Sequence, residues 1–96
     1  MRIRSVKTRD FRKRLLSLGF EEESGRDHIF YFYRYEGKIL VRTKVSHGLD
    51  EIRQPILNLI SRQLQMNRDE FEGFLKGKIS PERYKRILLE RGIIER

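Results

Sequence analysis

The run His28-Ile29-Phe30-Tyr31-Phe32-Tyr33 most narrows what this chain can fold into. Consecutive β-branched and aromatic residues suit the pleated surface of a sheet and lose rotamer freedom in a helix. Glu36-Gly37 follows as a turn signal, and Ile39 to Val45 reads as the partner strand, so a hairpin is expected. With a two-residue turn, Phe32 lies opposite Val41, Phe30 opposite Thr43, Arg34 opposite Ile39 and His28 opposite Val45, on the side expected to be core. The other side then pairs Tyr33 with Leu40, Tyr31 with Arg42 and Ile29 with Lys44, a mixture of aromatic and basic groups like a nucleic-acid-binding surface. A three-residue turn would exchange the two faces, because side chains alternate with a period of two.

Helices are expected on both sides of this hairpin. Phe11, Leu15 and Leu18 have helical spacing, with Thr8 as N-cap, Asp10 in the first turn and Gly19 at the stop. Phe20 to Ser24 then reads as a short first strand, and Gly25 marks the turn into the strand that opens at His28. Glu21-Glu22-Glu23 suits a solvated strand edge, where like charge discourages pairing with another chain. After Gly48, the positions Ile52, Ile56, Leu59, Ile60 and Leu64 trace the apolar stripe of a second long helix, with Pro55 near its first turn. Asn67 and Glu70 have capping-box spacing ahead of a short helix through Phe71, Phe74 and Leu75. Ser80-Pro81 opens a last helix carrying Tyr84, Ile87 and Leu88 and closing at Gly92. The expected architecture is α+β in a single domain, 1–96, with a helix, three strands and a helix over 8–66 and two further helices over 67–96.

The charge balance points to an anionic partner. Lys and Arg number 22 against 14 Asp and Glu, for a net charge of +8. Residues 1–20 hold seven of the bases and one acid, and Arg9, Arg12, Lys13 and Arg14 fall on the polar face of the first helix. These four, with Arg26, Arg42, Lys44 and the stacking candidate Tyr31, are the expected RNA-binding residues. There is no cysteine, so neither a disulfide framework nor a thiolate zinc site is open to this chain. The two histidines and scattered acids have no metal-ligand spacing, and no metal or other cofactor is expected. No phosphate-binding glycine loop, GxSxG or HExxH pattern supports nucleotide, serine or metalloprotease hydrolysis. With no leader pattern and no long apolar run, the expected location is the cytoplasm.

The candidate chemistry sits at one end of the hairpin. His28 opens its first strand and His47 follows its second, so the pairing brings both to the same end of the sheet. Histidine exchanges a proton near cell pH, as attack by an RNA 2′-hydroxyl on its own phosphate requires. Arg26, Arg42 and Lys44 are the nearest cations in this topology to stabilise charge gathering on phosphorus. Asp27 alternates to the other side of a regular strand and can orient His28 only through an irregular turn. His47 is an assisting residue or a hydrogen-bonding loop residue.

The helix–three strands–helix order, the helix close Leu18-Gly19-Phe20, the Gly25 to Tyr31 segment and the strand and loop Val41 to Gly48 resemble the HicA toxins of toxin–antitoxin systems. The resemblance covers roughly residues 8–66. It implies a double-stranded-RNA-binding-domain-like fold, mRNA cleavage by a histidine of a Gly-Ser-His motif, and neutralisation by a HicB-like antitoxin. His28 matches the motif histidine, in a stretch that reads Gly25-Arg26-Asp27-His28, one residue longer and without the serine. Two other functions remain open: a non-catalytic nucleic-acid-binding module, and a protein-interaction or self-associating domain whose Tyr31 and Tyr33 face is the interface.

Overall fold

In the computed structural model, which describes residues 3–95, the elements run β1 (Ser5–Lys7), α1 (Thr8–Ser17), β2 (Glu21–Ser24), β3 (His28–Tyr35), β4 (Lys38–Ser46), β5 (Glu51–Arg53), α2 (Ile56–Gln63), α3 (Arg68–Leu75) and α4 (Pro81–Glu90). Among the described residues the fold is thus α+β, with four helices and two antiparallel sheets. One sheet has the order β2-β3-β4, and the other is the β1–β5 pair.

The Glu36-Gly37 turn forms with both residues at positive φ, 49° and 82°, and Tyr35 pairs with Lys38 and Arg34 with Ile39. The next pair is Tyr33 with Val41, so Leu40 is the extra residue of a β-bulge. From there the register is shifted by one: Phe32 lies opposite Arg42, Tyr31 opposite Thr43, Phe30 opposite Lys44, Ile29 opposite Val45 and His28 opposite Ser46. The bulge exchanges the faces of β3 while leaving those of β4 as expected. Ile29 and Tyr31 are buried with Val41, Thr43 and Val45. Phe30 and Phe32, expected in the core, lie on the opposite face and take no part in the core cluster.

The second helix also departs from its expected course. Ile52 belongs to β5, where it pairs with Val6 of β1, and α2 begins only at Ile56. Proline disfavours helical backbone at the residue before it, so Pro55 forces Gln54 out of a helix and caps α2 instead of lying inside it. The apolar spacing continues across this break: Ile52, Ile60 and Leu64 are buried, whereas Ile56 and Leu59 are 46% and 54% exposed. The β1–β5 pair also sets the start of α1. Thr8, expected as the N-cap, is the first helical residue, and its N–H donates to the Asp50 carbonyl at 2.9 Å.

All helices pack on the Tyr31 face. Phe11 meets Phe74 edge-on at 5.9 Å, and Tyr84 of α4 lies against Tyr33 at 5.2 Å and Phe20 at 5.7 Å. Such tilted ring pairs suit the aromatic quadrupole and add to the area they bury. The Tyr84 hydroxyl donates to the Leu64 carbonyl at 2.8 Å, tying α4 to the end of α2. The caps of the last two helices follow the local sequence: Asn67 and Glu70 form a reciprocal capping box, and the Ser80 hydroxyl accepts from the Arg83 N–H. Residues 67–95 therefore bring Phe71, Phe74, Tyr84, Leu88 and Ile94 into one core with α1 and the sheet.

Candidate nucleic-acid interface

With every helix on one side, the other face of β2-β3-β4 is open. Side chains alternate, so the face carries Glu21 and Glu23 from β2, His28, Phe30, Phe32 and Arg34 from β3, and Arg42 and Lys44 from β4. A shallow groove of about 460 Å³ runs over Phe30 and Phe32 between Glu23 and the Arg42–Lys44 side, with Gln63 at its rim. Glu21 is held by Arg34 at 2.9 Å. Among the described residues, Arg42 and Lys44 are exposed and enter no ion pair.

Phe30 is positioned by a close approach of backbone. Its ring lies over Gly25, where a Cβ would come within 2.7 Å of Phe30 Cε2, so the glycine clears space for the ring. Phe30 is in turn 6.2 Å from the His28 ring, giving Gly25, Phe30 and His28 a continuous surface at the end of the sheet.

The two histidines do meet at that end, but in different states. His47 Nε2 lies 2.8 Å from the Gly25 carbonyl and 3.3 Å from Ser24 Oγ, and its backbone N–H donates to the Asp27 carbonyl at 3.1 Å. A carbonyl only accepts, so Nε2 carries the proton, and His47 clamps the Arg26-Asp27 turn to the end of β4. His28 is half-buried on the open face, and its ring forms no hydrogen bond among the described residues. Asp27 is exposed in the turn and its carboxylate does not bond His28; Arg26 is exposed at the same tip.

The basic face of α1 is not part of this surface, because α1 packs beneath the sheet. Arg12 Nε donates to the Tyr31 hydroxyl at 2.7 Å and its Nη2 to Glu22 at 3.1 Å, while the Tyr31 hydroxyl donates to the same carboxylate. The Arg14 guanidinium lies against Gly77 in the turn between α3 and α4. Arg9 and Lys13 remain exposed. Tyr31, expected to stack a base, is 0% exposed and serves as a buried post for Arg12 and Glu22, because the Leu40 bulge turned it inward.

That triad perturbs its members. The Tyr31 hydrogen bond, aided by Arg12, holds the Glu22 carboxyl below its usual range. Burial, with the bond to Glu22, pushes the Tyr31 phenol up to about 12. Bonding to Tyr31 and Glu22 raises Arg12 further. Burial likewise raises Tyr33 and Tyr84.

Among the described residues no group of three or more His, Asp or Glu side chains is placed to hold a metal ion, and no helix is long and apolar enough to cross a membrane. The fold and face define an α+β domain with a one-sided sheet whose open side is aromatic and cationic. Compared with known proteins, the chain matches no family model, no curated protein and no solved structure.

The sequence did not point to Phe30 and Phe32 as surface groups. The middle of β3 is aromatic on both sides, so only His28 and Arg34, at the strand's ends, mark the side of Phe30 and Phe32 as outer. The clearer signal lay in β4, where Arg42 and Lys44 alternate with Val41, Thr43 and Val45.

Proposed function

We propose that this protein is a HicA-like RNA-binding domain that cleaves RNA without a metal, using His28. The observation that carries the proposal is the His28 ring, unbonded on the open face beside Phe30, on the same side of the sheet as Lys44 and Arg42. The α1-β2-β3-β4 order followed, after the short strand β5, by α2, with helices on one side of the three-stranded sheet, supports a double-stranded-RNA-binding-domain-like core.

The reaction needs only what RNA, the face and solvent supply. The 2′-oxygen attacks the adjacent phosphorus, its bond to phosphorus forming as the bond to the 5′-oxygen breaks. His28 takes the 2′-proton, and the 5′-oxygen leaves with a proton from solvent, giving a 2′,3′-cyclic phosphate and a 5′-hydroxyl. Lys44, opposite Phe30, is diagonal to His28 in the register, a separation long side chains span. Arg42 lies one same-face position further along. Both cations offset charge developing on the phosphorane. His47, held by Gly25, positions the turn instead of sharing the proton transfer.

The test is cleavage of end-labelled RNA with excess chelator present. His28→Ala should lower the rate by about 10² to 10⁴-fold, the usual share of a placed acid or base. Salt-dependent RNA binding should persist, and wild-type products should carry cyclic phosphate ends. Wild-type protein that binds RNA but leaves it intact from pH 5 to 9 would instead establish a non-catalytic binding module. One observation favours that second outcome: no carboxylate orients His28 among the described residues.

A further inference from the structure

We infer that the nucleic acid taken by the open face is single-stranded, with successive bases lying on the rings of Phe30 and Phe32 and the backbone following Arg42 and Lys44. This deepens the RNA-binding reading above and rests on it.

The first argument is the unusual composition of the face. The exposed side of an antiparallel sheet is normally polar, as β4 is here with Arg42 and Lys44. The central strand instead presents two phenylalanines that no helix covers. The ring of Phe30 is held over Gly25 and beside His28, so it is set in place before any ligand arrives.

The second argument is the occupant's charge. Arg34 holds Glu21, whereas Arg42 and Lys44 stand unpaired among the described residues, leaving Glu23 as the carboxylate bordering the groove. Two free cations beside two rings complement an anionic chain that also offers flat apolar surfaces.

The third argument is access to a base. Same-face residues on a strand are about 6.6 Å apart, twice the ~3.3 Å rise per residue. Bases within a duplex follow one another at about 3.4 Å, and each hides the faces of its neighbours. A protein ring reaches a base face only where the strand is open, which is how single-stranded RNA is recognised, whereas a duplex is met through its shape and backbone. The groove, about 460 Å³, also has the scale of a small-ligand cleft. Thr43 Oγ1 donates to Gln63 Oε1 at 2.8 Å, which holds the Gln63 side chain at the groove's rim.

The probe is a fluorescently labelled 12-nucleotide 2′-O-methyl RNA, which cannot cleave itself, compared by anisotropy with a blunt duplex of the same strand at one salt concentration. The single strand should bind more tightly. Phe30→Leu and Phe32→Leu keep an apolar side chain but remove the ring. Each should weaken single-strand binding roughly 5- to 100-fold, leave duplex binding unchanged, and be reversed by Trp at the same position. Thermal melts of each variant confirm that the fold persists. Arg42→Gln and Lys44→Gln should each reduce the slope of log K against log salt by about 0.7. Failure to bind either RNA would overturn the RNA-binding reading itself. Preference for the duplex, or Leu variants that bind like wild type, would overturn this inference alone. So would a wild-type dimer that Phe32→Leu converts to monomer, since a second copy would then occupy the face.

Discussion

Two adjacent residues, Tyr31 and Phe32, should differ sharply in what they contribute to stability. The Tyr31 ring is fully buried, and its hydroxyl joins Arg12 and Glu22, whereas Phe32 is half-buried outside the core cluster. Truncating a buried aromatic residue to alanine costs about 3–5 kcal/mol through lost burial and the cavity left behind. Loss of the Tyr31 hydrogen bonds adds about 1 kcal/mol. Phe32→Ala opens no cavity and forfeits part of the roughly 1.5–3 kcal/mol of a fully buried side chain, so about 1 kcal/mol is expected. Against a total of roughly 5–15 kcal/mol for a domain of this kind, Tyr31→Ala should leave a marginally stable protein and Phe32→Ala a sound one. Urea unfolding followed by far-ultraviolet circular dichroism measures both, provided the m-values agree with wild type. The midpoint should move several times further for Tyr31→Ala. A Phe32→Ala variant as destabilised as Tyr31→Ala would refute the shifted register and remove the open aromatic face with it.

Two further outcomes follow from the polar contacts. Because Glu22 is held below its usual range chiefly by the Tyr31 hydroxyl, its contribution is present above the ordinary carboxylate pKa of about 4.5 and lost as pH falls through the lowered folded value. Tyr31→Phe should therefore be less stable than wild type at pH 7, with the gap narrowing below about pH 4; a gap constant with pH in urea titrations would contradict this. Tyr84→Phe strands the buried Leu64 carbonyl and should cost about 1–3 kcal/mol in the same assay, while an unchanged midpoint would show that this bond does not tie α4 to α2.

Features whose causes lie within a few residues were legible in the sequence. The Glu36-Gly37 turn, the Asn67–Glu70 capping box, the Ser80 cap and the glycine after α1 each depend on side chains and backbone close along the chain. The inner and outer faces of β4 were legible as well, because apolar and basic residues alternate along it. So was the meeting of the two histidines, which follows from the hairpin alone. Tertiary structure decided the rest. The middle of β3 is aromatic on both sides, and its register depended on a bulge at Leu40 that no local signal marks, which exchanged Tyr31 for Phe30 and Phe32 on the open face. Ile52 keeps helical spacing with Ile56, but Pro55 and pairing with Val6 make it a strand residue. Arg12 and Arg14 look like free cations on a helix face, yet Arg12 is bonded to Tyr31 and Glu22 and the Arg14 guanidinium packs against Gly77, groups distant in sequence. His28 and His47 have equivalent chemistry, and what separates them is the Gly25 carbonyl, which the fold brings to His47 and which leaves His28 unbonded on the open face.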